Sequence, residues 1–258
     1  MDLGIKGKTA LICASSRGLG FGCAQKLAQA GVNIVICARG KQDLDKASKA
    51  LKSENGDVRA IVSDVTTTEG REAIYATAPK VDILVTNAGG PPPGHWSDWD
   101  ESDFTSALNA NMLAPIALMK NYLPYMIDQK WGRVVNITSQ SVKAPIAVLG
   151  LSNAARTGLT GYVAGTARDV AKHGIAINNL LPGIHDTDRA TSLDTQAAKN
   201  GDISVAKARK NREETIPSQR YGTKEEFGAI CAFLCSQYAG YIVGQNILAD
   251  GGNVNSTM

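Results

Sequence analysis

Short runs rich in valine and isoleucine alternate with amphipathic stretches along the whole chain, and this alternation constrains the fold more than any other feature. In runs such as Asn33–Ala38 and Asp82–Val85, apolar residues follow one another without the in-and-out pattern of a half-exposed strand. Such strands are buried on both faces, as in parallel sheets covered by helices. The repeated order of strand and helix therefore predicts right-handed βαβ units that form a doubly wound, mostly parallel α/β sheet.

Seven runs have the length and composition of buried strands, and helical periodicity separates most of them. The predicted strands are Lys8–Cys13, Asn33–Ala38, Val58–Val62, Asp82–Val85, Arg133–Thr138, Ile175–Leu181 and Asn246–Ala249. The predicted helices are Leu19–Ala30, Lys41–Lys52, Thr67–Ala78, Asp103–Gln129, Leu151–His173 and Lys224–Cys235. A chain of 258 residues, 43% of them hydrophobic, can bury one large core, and we expect a single domain over residues 1–258.

The composition argues against several classes of function. The net charge is only +3 with both signs interspersed, so no basic stripe for nucleic acid is expected. No apolar run approaches the roughly 18 residues of a membrane span, and the first residues lack the apolar stretch of a signal peptide. The five cysteines include no CxxC pair, which favours buried thiols over a metal site. We therefore expect a cytoplasmic protein without nucleic-acid, membrane or metal partners.

One segment, Asp186–Pro217, interrupts the alternation because it is polar, charged and without strands. It follows the sixth predicted strand and should lie at the carboxyl edge of the sheet, where ligands bind in doubly wound folds. We interpret it as a helical lid over a substrate. A solvated surface excursion is the alternative, since not every long loop is functional.

The first predicted strand ends in the glycine-rich segment Cys13–Gly20, which leads directly into a helix. Small residues let a backbone approach a pyrophosphate, and the unpaired amides at the helix start attract its negative charge. This order of strand, turn and helix predicts a dinucleotide site. Its predicted contacts are Ala14, Ser16, Arg17, Gly18, Leu19 and Gly20.

Five segments together resemble the short-chain dehydrogenase/reductase family in both order and spacing. Cys13–Gly20 is similar to its TGxxxGxG loop, with Cys13 and Ala14 replacing the first threonine and glycine. The others are Asp64-Val65 after strand three, Asn87-Ala88-Gly89 after strand four, Pro182-Gly183-Ile184 with Thr187 after strand six, and Ala249–Gly252 near the C-terminus. The resemblance implies a Rossmann-type fold, adenine and nicotinamide contacts from these segments, and pairing of long helices in a homodimer or homotetramer.

The choice of cofactor follows from charge at the end of the second strand. NAD-binding sheets place an acid there for the ribose 2′-hydroxyl, whereas an arginine suits a 2′-phosphate. Here Ala38 occupies the usual place of the acid and Arg39 follows it, with Arg17 as a second guanidinium in the phosphate loop. Arginine forks match phosphate oxygens, so we predict NADP(H). Two solvated surface arginines are the alternative.

The family's reactive residues are an asparagine, a serine and a Tyr-x-x-x-Lys pair, and this chain departs from that pattern. Asn111 and Ser139 match the first two, but Ser152 and Arg156 stand where the tyrosine and lysine belong. A phenol has a pKa near 10, whereas an aliphatic hydroxyl is a far weaker acid, comparable to water. The gap corresponds to about 7–8 kcal/mol, so Ser152 cannot inherit the tyrosine's role as proton donor. Arg156 can still bind the nicotinamide ribose.

Other proton sources remain open. His95 follows strand four at the substrate edge, His185 flanks the nicotinamide segment, and Lys143 follows Ser139. Each is also consistent with a solvated loop residue, and Ser152 and Arg156 are consistent with a decayed site.

Three functions fit these residues. The first is NADPH-dependent hydride transfer to a carbonyl or conjugated carbonyl compound, with a small-molecule or acyl substrate, as the resemblance to 3-oxoacyl-carrier-protein reductases implies. The second is conjugate (ene) reduction, which leaves an enolate and needs no phenol. The third is a cofactor-binding protein without turnover that senses NADP(H) or docks a partner.

Overall fold

Seven parallel strands form one sheet in the computed structural model, which describes residues 1–54 and 57–256. The spatial order is β3-β2-β1-β4-β5-β6-β7, and every neighbouring pair is parallel. The strands are β1 (Thr9–Cys13), β2 (Asn33–Ala38), β3 (Val58–Val62), β4 (Ile83–Thr86), β5 (Gly132–Ile137), β6 (Ile175–Pro182) and β7 (Asn246–Ala249). This order reverses beside β1, which confirms the predicted doubly wound sheet.

Helices cover both faces of the sheet. They are α1 (Gly18–Gln29), α2 (Lys41–Lys52), α3 (Thr68–Thr77), α4 (Glu101–Leu108), α5 (Ala114–Asp128), α6 (Gly150–Val170), α7 (Asp188–Gly201), α8 (Val205–Glu214) and α9 (Lys224–Leu234). Alternate residues of β1 pack into the helix layers on opposite faces of the sheet, because successive side chains of a strand point to opposite faces. Ile12 packs in the layer of α1, α2 and α9, and Leu11 packs in the layer of α3, α5 and α6.

The predicted single helix over Asp103–Gln129 is interrupted. The chain is helical from Glu101, widens into a π-helical turn at Asn109–Leu113, and continues as α5. Pro115 has no N–H to donate to the carbonyl four residues earlier, which frees the backbone of Asn111 from the regular ladder. The interruption therefore falls on the residue that the sequence singled out, as π-turns often do at functional sites.

The segment Asp186–Pro217 folds mainly into the two helices α7 and α8, so its predicted helical character is correct. Its buried acid, Asp194, pairs with Arg212 at 2.8 Å and accepts a hydrogen bond from the Tyr221 hydroxyl at 2.8 Å. Arg209 donates from both terminal nitrogens to the carboxylate of Asp186, at 3.0 and 3.1 Å. Charged contacts and a small apolar cluster therefore hold this segment above the end of β6.

Candidate active site

The loop between β1 and α1 brings backbone close to backbone. A Cβ on Gly20 would lie 2.6 Å from the carbonyl oxygen of Ala14, and the Asn87 side chain donates to that same oxygen at 3.2 Å. Ala14 and Gly18 both have left-handed backbone, with φ of +46° and +59°. The start of α1 has no side-chain cap, so its first amides are left for an anionic ligand. The loop therefore fits a pyrophosphate.

Both arginines proposed for the 2′-phosphate are exposed and paired with carboxylates. Arg39 lies 3.9 Å from Asp64, and Arg17 lies 3.2 Å from Asp188 at the start of α7. Burial raises the pKa of Asp64, but hydrogen bonds from Thr66 and the charge of Arg39 outweigh it and leave that pKa below its usual value. Each guanidinium retains free N–H donors for an added anion.

The remaining predicted cofactor contacts follow the strand ends of the same edge. A cavity of about 350 Å³ adjoins Ser16, Arg17, Gly18 and Thr187, between the phosphate loop and the start of α7. Val65 follows β3, Ala88 and Gly89 follow β4, and Pro182, Gly183, Ile184 and Thr187 form the end of β6 and its continuation, while Leu19 lies in the first turn of α1.

Asn111 is buried in the π-helical turn with one atom left without a partner. Its amide nitrogen donates to the carbonyl of Ala107 at 3.3 Å and approaches that of Gly89 at 3.5 Å. Its amide oxygen is buried and accepts no hydrogen bond from the described residues. Buried acceptors are rarely left unpaired, so this oxygen is suited to hold a water molecule or a ligand donor.

Ser139 is half-buried and lies two residues after the end of β5. Its hydroxyl oxygen accepts a hydrogen bond from the amide of Ser141 at 3.1 Å, which orients the side chain. Because a hydroxyl also carries a donor, the proton of Ser139 is free to point into the cleft.

Ser152 and Arg156 form a pair on the buried face of α6. The Nε of Arg156 donates to the hydroxyl oxygen of Ser152 at 3.2 Å, and its Nη1 donates to the carbonyl of Ile137 at 2.9 Å. Both side chains belong to residues only 7% exposed. Burial, with a smaller contribution from the charge of Arg189, lowers the pKa of Arg156 to about 10. The guanidinium still carries its proton at neutral pH.

Neither His95 nor His185 bonds to the pair formed by Ser152 and Arg156. His95 is exposed, and its Nδ1 lies 2.7 Å from the hydroxyl of Ser97 within its own loop. His185 is buried and packs edge-on against Phe227 at 5.1 Å, on the α9 side of the sheet. Burial lowers the pKa of His185 despite a hydrogen bond to Gly183, so the ring is neutral near pH 7. Its position fits packing better than acid catalysis.

Sequence patterns did not reveal Arg189, in the first turn of α7. Its two terminal nitrogens donate to the carbonyls of Gly90 at 3.1 Å and Pro91 at 3.2 Å. These bonds join α7 to the loop after β4. Only its position two residues after Thr187 could have signalled it.

A second missed feature is a row of polar side chains that crosses four strands beneath the site. The Thr86 hydroxyl donates to Asn136 at 2.6 Å, Asn136 donates to Asn179 at 3.2 Å, and Asn179 donates to Asn246 at 2.8 Å. Such a satisfied buried network holds the strand ends in register. It also fixes the backbone that leads to Ser139.

No described helix has the length and hydrophobicity needed to cross a bilayer. Among the same residues, no cluster of three or more histidine, cysteine, aspartate or glutamate side chains could hold a metal ion.

The chain is similar to known proteins over nearly its full length. It is 33% identical to dehydrogenase/reductase SDR family member 4 of Bos taurus, covering 96% of this chain and 88% of that one. It is 30% identical to a 3-oxoacyl-[acyl-carrier-protein] reductase of Aquifex aeolicus, covering 98% and 99%. L-sorbose reductase of Gluconobacter frateurii, solved with NADPH and L-sorbose, superposes with a TM-score of 0.94 at 27% identity, covering 99% and 100%.

The chain also carries the sequence pattern of one protein family over most of its length. The pattern described as short chain dehydrogenase matches residues 8–198, which include the phosphate loop, Asn111, Ser139 and the Ser152 and Arg156 pair. The chain belongs to the short-chain dehydrogenase/reductase family.

Proposed function

We propose that this protein binds NADP(H) at the carboxyl edge of its sheet and reduces a carbonyl or conjugated carbonyl compound. The observation that carries the proposal is the loop between β1 and α1, where the close approach of Gly20 to Ala14 leaves room for a pyrophosphate but not for a side chain. When bound, NADPH supplies a hydride. The solved complex of L-sorbose reductase with NADPH supports the same choice of cofactor here.

Residues at the strand ends would bind different parts of the cofactor. Arg17 and Arg39 would hold the 2′-phosphate, and exchange of their present carboxylate partners for phosphate oxygens fits their exposure. Asp64 and Val65 would contact the adenine, Asn87, Ala88 and Gly89 the central part, and Pro182, Gly183, Ile184 and Thr187 the nicotinamide. Arg156 would contact its ribose.

Ser139 is suited to donate a hydrogen bond to the substrate carbonyl oxygen, and the unpaired oxygen of Asn111 is suited to hold a water molecule nearby. Negative charge that develops on the carbonyl oxygen is stabilised by preorganised donors of this kind. The Ser152 hydroxyl accepts from Arg156, which holds it in place. It lacks the acidity of a phenol, so water is the better proton source.

The pair of Ser152 and Arg156 favours conjugate reduction as a second candidate. Addition at a β-carbon leaves an enolate whose charge Ser139 and Arg156 can stabilise, and water can protonate the α-carbon afterwards. Carbonyl reduction needs a proton on oxygen in the same step or soon after it. Conjugate reduction therefore needs no acidic side chain in the site, whereas carbonyl reduction needs a proton donor to the oxygen. The similarity to a 3-oxoacyl-[acyl-carrier-protein] reductase supports an acyl compound as one candidate substrate.

One experiment separates these functions. Purified protein is incubated with NADPH deuterated at C4 and with acceptor pairs that differ only in conjugation, such as cyclohexanone and cyclohexenone. Deuterium at the carbonyl carbon supports carbonyl reduction, and deuterium at the β-carbon supports conjugate reduction. Tight NADPH binding without transfer to any acceptor, 3-oxoacyl thioesters included, would favour a sensor or docking protein.

We also propose that Asp186–Pro217 acts as a lid within the single domain and that the protein works in the cytoplasm as a homodimer or homotetramer. Arg17 of the phosphate loop and Arg189 of α7 tie this segment to both sides of the cleft. Hydrogen exchange should show increased protection of this segment when NADPH and substrate bind. Equal protection in both states would make it a structural element, and light scattering gives the oligomeric state.

A further inference from the structure

The cavity beside the phosphate loop reaches beyond the loop to α2 and α9. It has a volume of about 350 Å³, and three cationic side chains line it: Arg17 of the loop, Lys46 of α2 and Lys224 of α9. These residues are far apart in the sequence, and the fold brings them to one cavity. Clefts lined by positive charge concentrate anions. This cavity is therefore suited to an anionic group.

Two carboxylates also line the cavity, and both are already paired with arginines. Asp186 is held by both terminal nitrogens of Arg209, at 3.0 and 3.1 Å. Asp188 accepts a hydrogen bond from Arg17 at 3.2 Å, and these two side chains are 75% and 70% exposed. An ion pair so exposed contributes little to stability, so a phosphate can displace Asp188 from Arg17.

Arg17 by itself does not balance the charge of such a phosphate. A phosphate monoester carries about two negative charges at neutral pH, and Arg17 has one positive charge that also faces Asp188. Lys46 is the cation best placed to supply the remainder. Its one ion pair among the described residues is a 3.9 Å contact with Asp43, and 70% of its side chain is exposed. The flexible four-carbon stem lets its ammonium turn toward an anion in the cavity.

The other two cations of this region are more firmly engaged or lie elsewhere. The ammonium of Lys224 lies 5.2 Å from the centre of the Phe21 ring and 3.8 Å from Glu225. Arg39 pairs with Asp64 and does not line the cavity. Lys46 therefore adds a contact that neither of them makes.

We propose that Lys46 is a specificity-determining residue that binds the 2′-phosphate of NADP(H) together with Arg17, and that Asp188 is the carboxylate that this phosphate displaces. The inference rests on the proposed function and adds a residue of α2 to the phosphate loop and the end of β2. Lys46 and Asp188 act in opposite directions. Lys46 favours the phosphorylated cofactor, and Asp188 competes with it for Arg17.

Binding without turnover tests the role of Lys46. The probes are 2′,5′-ADP and 5′-AMP, which differ only in the 2′-phosphate, and the titrations are repeated with NADPH and NADH. Lys46→Met should weaken 2′,5′-ADP and NADPH about fivefold, the contribution of one partly exposed charge pair, and leave 5′-AMP and NADH unchanged. Lys46→Arg should retain the preference because it keeps the charge. Lys49→Met is the matched control, since it removes the same charge from an exposed position of α2 that does not line the cavity.

A second substitution tests the displaced carboxylate. Asp188→Asn should tighten 2′,5′-ADP and NADPH about twofold, because Arg17 is then free of its competitor, and should leave 5′-AMP and NADH unchanged. Asp202→Asn removes a negative charge from an exposed position beyond the other end of α7 and should change none of the four affinities.

Four results would overturn the inference. They are an unchanged preference for 2′,5′-ADP in Lys46→Met, an equal loss of affinity for both probes, the same loss in Lys49→Met, and an unchanged affinity for 2′,5′-ADP in Asp188→Asn. In each case NADPH still binds the unmodified protein, so the proposed function stands. Failure of the proposed function has a different signature, because NADPH then does not bind the unmodified protein or transfers no deuterium to any acceptor.

Discussion

At the start of α1 the backbones of Gly20 and Ala14 lie close together, whereas on α6 the side chains of Ser152 and Arg156 form a buried pair. The first region depends on backbone proximity, since Gly20 leaves no space for a Cβ and the helix amides supply the donors. The second depends on the chemistry of individual side chains. Cofactor binding can thus be maintained while the acceptor and the proton source change.

The largest effect, on NADPH binding, is expected when the loop between β1 and α1 is disrupted. Gly20→Val places a side chain against the Ala14 carbonyl and should weaken NADPH binding at least 100-fold, about 2.7 kcal/mol, measured by fluorescence titration. Gly165→Val is the matched control, because it lies on the exposed side of α6 and a Cβ there meets nothing within 4 Å. Unchanged NADPH affinity in a folded Gly20→Val protein would show that the loop does not hold the cofactor.

The second region is tested by restoring the family pair. The double change Ser152→Tyr with Arg156→Lys should reduce turnover of the native acceptor about tenfold and gain nothing on simple ketones, because the fork of Arg156 is lost. Arg156→Ala alone should weaken cofactor binding and turnover together. Steady-state kinetics on cyclohexanone and on the acceptor found by deuterium labelling give both values. A large gain in ketone reduction would mean instead that the site is an ordinary reductase without its acid.

A smaller effect concerns which cofactor the first region prefers. We expect NADPH to bind at least tenfold tighter than NADH, about 1.4 kcal/mol, because Arg39 and Arg17 meet the 2′-phosphate. Arg39→Asp should narrow or invert this ratio, whereas Arg168→Asp, on the exposed face of α6, should not. Equal titration curves for the two cofactors with the unmodified protein would contradict the assignment.

The smallest effect concerns the stability contributed by His185, which follows β6 and packs against Phe227 of α9. Burial lowers the pKa of His185, so the unfolded chain binds a proton more readily than the folded one. This contribution to the free energy of unfolding is present above the unfolded pKa, near 6.5, and is lost as the pH falls below it, by at most about 1.4 kcal/mol per pH unit. His185→Gln should therefore flatten the decline between pH 7 and pH 5 in urea denaturation. Parallel curves for the two proteins would mean that His185 charges as easily in the fold as outside it.

Residues that act through local pattern were predictable. The apolar runs predicted all seven strands to within two residues at their ends, because burial on both faces leaves its trace in the composition of each run. The order of strand, glycine and helix in Cys13–Gly20 likewise predicted the turn between β1 and α1, whereas the close approach of Gly20 to Ala14 became visible only in the structure.

Features that depend on contacts between distant parts of the chain could not be predicted from the sequence. One local feature, the interruption at Asn109–Leu113, was also missed, because the helical periodicity around it outweighs a single Pro115 in a sequence pattern. His185 and His95 had equal standing as loop residues until the packing of α9 buried one and left the other exposed.

The sequence by itself determined the doubly wound sheet and the turn between β1 and α1, because each depends on the pattern of neighbouring residues. Only the tertiary structure decided that Arg189 bonds to the loop after β4, and that polar side chains of β4, β5, β6 and β7 form one row. These meetings depend on strand register and on how helices pack across the sheet edge. Such long-range geometry arises from the whole core and leaves no local signal in the chain.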